Sequence, residues 1–312
     1  MQALSPFTPL HGVVALIFVL LGIASLVVRW LKQRHPMKDV TELEQRVRSW
    51  WVMVTVFSAA LLFGPVVTLV FLAFVSFLAL KEYLSMIPTR RADRRVLFWA
   101  YLAIPLQFYW VGTHWYGMFI VFIPVYLFLL LPLRMVLIGE TQGFLRAVGT
   151  LHWGVMITVF GLSHAAYLLA LPGEGNANEG AGLLLYLVFL TQFNDVAQYI
   201  WGKRFGRRRI VPKVSPNKTW AGFIGGVATT AILAMLLAPW LTPMNAPAAL
   251  LSGLIIAVGG FVGDVNMSAL KRDLGVKDTG TLIAGHGGIL DRVDSLSFAA
   301  PLFFHFVHYG FY

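Results

Sequence analysis

All 24 lysines and arginines of this 312-residue chain fall in five segments, at residues 29–48, 81–95, 134–146, 203–218 and 271–292, separated by long apolar runs. The connections that alternate with these segments hold none, although Pro172 to Gly182 carries Glu174 and Glu179. A chain that crosses a bilayer repeatedly keeps its Lys and Arg on one side, so the alternation is a topology signal. Backbone inside hydrocarbon must satisfy its own hydrogen bonds, and runs of this length do so as helices. The chain is therefore expected to be an all-α, polytopic integral membrane helix bundle. With 58% hydrophobic and 12% charged residues, it lies far from the roughly 25% charge of soluble domains.

About ten spans are expected, near residues 12–30, 50–64, 65–80, 97–111, 117–138, 149–171, 182–201, 221–241, 248–263 and 296–311. The second and third form one uncharged run, split here at Gly64-Pro65 because that pair is a turn signal. Merging them would destroy the charge alternation. With the basic segments cytoplasmic, both termini are expected to be non-cytoplasmic. The first run, His11 to Val28, has no basic segment before it and reads as a span rather than a removable signal. There is no cysteine, which excludes thiolate chemistry and disulfides.

Gly263 to Ser295, GDVNMSALKRDLGVKDTGTLIAGHGGILDRVDS, concentrates five aspartates between two apolar runs. If the preceding helix continues past its glycines, Asp264, Ser268, Lys271 and Arg272 share a face, with Asp264 at the end of the membrane-embedded part. Asp291 and Asp294, three residues apart, are placed on one face of the next helix's first turn, where anions are tolerated. Asp264 and the Asp291/Asp294 pair then lie at similar depth, where they could share a hard cation. Gly202 to Lys218 carries seven basic residues and no acid. Ser215, Asn217 and Thr219 are candidate N-caps for a helix from Trp220, and with Lys218 they suggest a phosphate site. A polybasic segment binding lipid headgroups is an equal reading of this loop alone. Asp195, inside a span, is costly and suggests function, unless it only hydrogen-bonds to Asn194 or Gln198. His152 and His164 read as core histidines.

Carboxylates in oxygen-only surroundings favour magnesium, which bridges substrate phosphates, and nearby cations would hold the remaining phosphate charge. The combination points to phosphoryl or nucleotidyl chemistry on a membrane-resident substrate. The dispersed basic surface carries no nucleic-acid recognition motif, and no nucleic-acid partner is expected. Most of the first two basic segments serve topology and anionic membrane lipids.

Ser268 to Asp294, SALKRDLGVKDTGTLIAGHGGILDRVD, closely resembles the signature of the CDP-diacylglycerol synthase (phosphatidate cytidylyltransferase) family. Asn194-Asp195, Gly202-Lys203, Gly206-Arg207 and Ser215 to Thr219 with Gly222, Gly225 and Gly226 resemble its other shared block. The likeness covers residues 181–312, a C-terminal catalytic membrane region with cytoplasmic loops 202–220 and 264–295, whereas residues 1–180 match only as hydrophobic spans.

The resemblance implies that CTP and phosphatidate yield CDP-diacylglycerol and pyrophosphate at the cytoplasmic face of a bacterial inner membrane. It implies Mg2+ at Asp264 and Asp291, completed by Asp294, a second monovalent cation such as K+, and a homodimer. Lys218, Lys271, Arg272, Lys277 and Arg292 are the candidate phosphate-holding residues. Asp195, Lys203, Arg207, Ser215, Asn217, Thr219, His286, Gly287 and Gly288 are the candidate substrate contacts, the glycines allowing close backbone approach. The family usually has a glutamate where this chain has Met267, and a proline where it has Ala284. A different lipid phosphate as substrate, a transporter and a non-catalytic partner are the competing readings. Charges gathered at one face, without paired inverted halves, disfavour the transporter.

Overall fold

The computed structural model describes residues 8–34, 40–88, 90, 93–171, 177–280 and 287–312, and these form helices without a strand. His286 and Ala284 lie outside the described residues. In chain order the helices are α1 (Pro9–Arg34), α2 (Thr41–Leu62), α3 (Pro65–Met86), α4 (Arg94–Gly112), α5 (Tyr116–Val136), α6 (Phe144–Tyr167), α7 (Ala177–Phe205), α8 (Trp220–Leu241), α9 (Ala246–Asp273) and α10 (Leu290–Phe311). Seven are long and apolar enough to cross a membrane: α1, α3, α5, α6, α7, α8 and α9. The other three are 22, 19 and 22 residues long but carry more polar sequence, such as Glu42, Glu44, Arg46 and Arg48 at the start of α2. The chain is thus an all-α, multi-pass membrane protein, with seven clear candidate spans rather than a demonstrated ten.

Gly64-Pro65 does divide the run from Trp50 to Leu80 into two helices. Gly64 has φ of 109°, a backbone conformation that side chains disfavour, and Pro65 opens α3 where its missing N–H costs nothing. Two helices widen into π-helical turns, at Phe122–Leu127 in α5 and Met156–Gly161 in α6. The first contains Pro124, which removes an N–H from the ladder. In the second, the Thr158 carbonyl accepts a 2.6 Å hydrogen bond from Ser76 of α3.

The outward faces remain apolar, as lipid requires. Leu16, Val19, Ile23 and Leu26 of α1, with Val66, Val70 and Phe74 of α3, are exposed hydrophobics. Inside, close packing relies on missing side chains. A Cβ on Gly222 would lie 2.7 Å from the Gln198 carbonyl, and Gly225 and Gly226 face Trp201 and Gln198, so α8 rests directly on α7. These small residues therefore serve contacts within the chain. Gly263 brings α9 against the backbone of Asp294 at the start of α10.

Two boundaries differ from expectation. The loop assigned to 264–295 begins only after Asp273, because α9 continues nine residues beyond Asp264 before meeting Gly275. Likewise α7 extends through Phe205, so the basic loop assigned to 202–220 starts with a helical turn. Both extensions carry charged side chains on rigid helix rather than on loop.

The α9/α10 packing makes a direct prediction. Gly263→Ala places a methyl group against backbone that cannot rotate away, and should lower the thermal unfolding midpoint in detergent, with a cost on the order of 1–3 kcal/mol. Gly12→Ala, which meets nothing within 4 Å, should leave the midpoint unchanged or slightly raised.

Candidate active site

Two adjacent side-chain networks occupy the end of the bundle that carries the 203–218 and 271–292 segments. The first is acidic and is assembled by α7, α9 and α10. Asp195, Asp264 and Asp294, one from each helix, lie within electrostatic reach of one another and of Lys218. Lys218 forms an ion pair with Asp264 and donates a 3.2 Å hydrogen bond to Gln198 Oε1. Ser295 Oγ lies 3.2 Å from Asp195 Oδ2, and the Ser295 N–H donates to Asp294 Oδ1 at 2.7 Å. Asp195 therefore bonds to α10 and not to its neighbours Asn194 or Gln198. Asn194 instead donates to the Ala257 carbonyl and accepts from Thr230.

Lys218 reaches this position because its loop folds as a short hairpin. Ile210 N–H donates to the Lys218 carbonyl at 3.0 Å, and Trp220 N–H to the Arg208 carbonyl at 3.0 Å. Of the three candidate N-caps, Thr219 takes the role, accepting the Gly222 N–H at 3.1 Å. Ser215 shapes the preceding turn through its backbone, and Asn217 is exposed. Burial acts to lower the Lys218 pKa, but Asp264 and Asp195 outweigh it and hold the ammonium above the ordinary lysine value. Lys218 thus sits as a cation among carboxylates.

The second network joins Lys271, Thr279 and Gly288 of the signature to Asp291. Asp291 Oδ1 accepts Lys271 Nζ at 2.8 Å, while Oδ2 accepts the Thr279 N–H at 2.9 Å, Thr279 Oγ1 at 2.9 Å and the Gly288 N–H at 3.1 Å. Gly287 has φ of 80°, and a Cβ there would lie 2.5 Å from Asp291 Oδ2. A Cβ on Gly288 would meet Glu82 and Thr279 Oγ1. The two glycines thus make room for acids of the chain itself, a reason that the sequence reading assigned to a ligand.

The expected Asp264–Asp291 pair is engaged differently, with each acid in its own network. Both Asp291 oxygens accept protein donors, three at Oδ2 and Lys271 alone at Oδ1. Asp195, Asp264 and Asp294 fit in donor chemistry, being oxygen-only and electrostatically crowded, although no three acids or histidines among the described residues are already arranged around an ion. Magnesium requires no such cage, since it is held by one or two carboxylates plus waters and substrate phosphates.

Other singled-out residues disperse around these networks. Arg272 Nε donates to the Val214 carbonyl at 3.2 Å, tying α9 to the basic hairpin. Arg292 acts electrostatically on Asp195, and its buried Nε has no hydrogen-bond partner among the described residues. Lys277 and Arg207 are exposed, and Lys203 lies over the Tyr199 ring. Met267, one turn from Asp264, is 1% exposed and belongs to the apolar core cluster, so it adds no polar atom to the acids.

Four contributors escaped the sequence reading as site groups: Glu82, Thr279, Gln198 and Ser295. Glu82 accepts the Ile289 N–H at 2.9 Å and the Leu290 N–H at 2.8 Å. Nothing local distinguishes Glu82 from any acid at a membrane edge. Thr279 lay within the signature and Ser295 directly after it, but hydroxyls there are too common to stand out.

Known proteins resemble this chain over most of its length. A model described as the cytidylyltransferase family matches residues 44–310. The uncharacterized protein YnbB of Escherichia coli strain K12 is 48% identical over 298 residues, covering 96% of this chain and 98% of that protein. A phosphatidate cytidylyltransferase of Haemophilus influenzae is 41% identical over 133 residues, but this spans only 41% of this chain and 46% of the relative. A phosphatidate cytidylyltransferase of Staphylococcus haemolyticus is 29% identical over 258 residues, 80% of this chain and 94% of that protein. The family match runs through α3 and Glu82 as well as the two C-terminal networks, and the chain belongs to the cytidylyltransferase family.

Proposed function

We propose that this protein is a phosphatidate cytidylyltransferase, converting CTP and phosphatidate to CDP-diacylglycerol and pyrophosphate. The observation that carries the reading is the convergence of Asp195, Asp264 and Asp294 with Lys218, beside a signature loop held by Asp291 and Lys271. Relatives named for this activity support the same substrates.

In the reaction, an oxygen of the phosphatidate phosphate attacks the α-phosphorus of CTP. A new P–O bond forms as the bond to the bridging oxygen of the β-phosphate breaks, and pyrophosphate leaves with that electron pair. The attacking phosphate monoester is largely ionised at neutral pH, so no dedicated general base is required. Magnesium held by Asp264 with Asp195 or Asp294 would neutralise charge on the nucleotide phosphates. A second, monovalent cation such as K+ belongs to the same proposal.

The protein's own groups position and neutralise. Lys218 keeps the three carboxylates together before substrate arrives. Arg292, within electrostatic reach of Asp195, and the exposed Lys277, Lys203 and Arg207 are the candidates to meet phosphate oxygens. Lys271 and Arg272 act mainly through structure, by fixing Asp291 and the hairpin. The same chemistry with another lipid phosphate requires only a different acyl-facing surface. We place the site at the cytoplasmic face of a bacterial inner membrane, with ten spans, both termini outside and a homodimeric assembly.

Purified protein in detergent, supplied with labelled CTP, phosphatidate and magnesium, should release equal amounts of CDP-diacylglycerol and pyrophosphate. Asp264→Asn should reduce turnover by about 100-fold or more, as expected for loss of a group that organises transition-state charge. Absence of CDP-lipid from every lipid phosphate tried would contradict the activity. Undiminished turnover of Asp264→Asn at limiting magnesium would contradict the metal assignment.

Orientation is directly measurable because the chain has no native cysteine. In intact bacterial cells, Lys213→Cys should resist an impermeant thiol reagent until the membrane is opened, whereas Asn178→Cys should label at once. The reverse pattern would overturn the cytoplasmic placement.

A further inference from the structure

The first turn of α10 lacks an ordinary cap: Ile289 stands at the N-cap position and makes no side-chain capping bond. Its N–H groups are taken by two acids instead. Asp291 takes the Gly288 N–H, and Glu82 of α3 takes those of Ile289 and Leu290, one on each carboxylate oxygen. Thr279 Oγ1 lies between the acids, 2.9 Å from Asp291 Oδ2 and 3.5 Å from Glu82 Oε2. Gly280 and Gly288 both leave space that Glu82 fills.

The direction of Glu82 is fixed by its neighbour. Tyr83 is 1% exposed, donates a 2.6 Å hydrogen bond to the Thr150 carbonyl and packs where any side chain at Gly154 would sit. That docking sets the rotation of α3 against α6, independently of α10. Glu82 is left facing the two ends of the signature loop, around Thr279 and at Ile289-Leu290. A carboxylate suits this position because a helix N-terminus presents unpaired N–H groups and positive potential.

We propose that Glu82 is a positioning residue, latching Thr279 and the Ile289-Leu290 backbone onto α3 so that Lys277, two residues from Thr279, keeps the geometry that meets the nucleotide phosphates. The role in catalysis rests on the cytidylyltransferase reading above, while the latch itself does not. The N-terminal helices would thereby contribute to a site otherwise assembled from residues beyond 180.

Hydrogen exchange of the 287–291 backbone, measured on the full-length protein in detergent beside steady-state kinetics, tests both parts. In Glu82→Gln, one of the two acceptors becomes a donor group, and exchange there should be about tenfold faster. The Tyr83 docking should hold the unfolding midpoint near that of the parent. KM for CTP should rise severalfold, with KM for phosphatidate unchanged, a split that a general loss of folded protein does not produce. Glu82→Asp, which keeps the charge on a shorter arm, should fall between the two and carries the comparison if Glu82→Gln is recovered unfolded. Unchanged exchange overturns the latch. Faster exchange with both kinetic constants intact overturns the positioning role. A parent protein that makes no CDP-lipid overturns the activity reading without any variant, and the exchange result still decides the latch.

Discussion

A lysine held between carboxylates from separate helices is the interaction on which this structure turns. Charges at the edge of a bilayer are expensive to desolvate, and each of Asp195, Asp264 and Asp294 would be unfavourable alone. Lys218 makes their approach tolerable, through its ion pair with Asp264 and its field at the other two. The helices must then meet closely enough for one side chain to reach all three. The glycine contacts of α8 on α7 and of Gly263 on α10 supply that closeness.

The second network has the same logic at smaller scale. A glycine-rich loop has little side-chain packing of its own and would sample many conformations. Asp291 collects Lys271, Thr279 and Gly288, and Glu82 collects the next two N–H groups, so carboxylates replace a hydrophobic core as the organiser. Acids in this family member thus divide into a crowded set suited to a cation and a saturated set suited to holding backbone. Met267, buried among apolar neighbours, leaves that division unchanged.

The fold class and several members of the candidate site were legible in the sequence because both are written in charge placement. Alternating basic segments located the helices, and Gly64-Pro65 located a break that hydropathy alone would have missed. Asp264, Asp294, Asp195 and Lys218 were singled out individually, since acids and a lysine beside long apolar runs carry a cost that invites explanation. Their grouping was less legible. Asp291 and Asp294 are three residues apart on one helix, and spacing alone joins them, yet Asp291 turns to the loop while Asp294 joins the opposite acids. Only the tertiary path of the hairpin from Gly206 to Thr219 determines which carboxylate Lys218 reaches. Glu82 was invisible for the same reason, being separated from Ile289 by most of the chain.

Lys218 and Asp264 stabilise one another between the basic hairpin and α9. A double-mutant cycle of Lys218→Met, Asp264→Asn and the combined variant, followed by unfolding free energy in mixed micelles, measures that coupling directly. The expected coupling is about 1 kcal/mol or more, with the double variant closer to the parent than the summed single losses imply. Effects that add to within about 0.3 kcal/mol would mean the two charges act independently, and would contradict it.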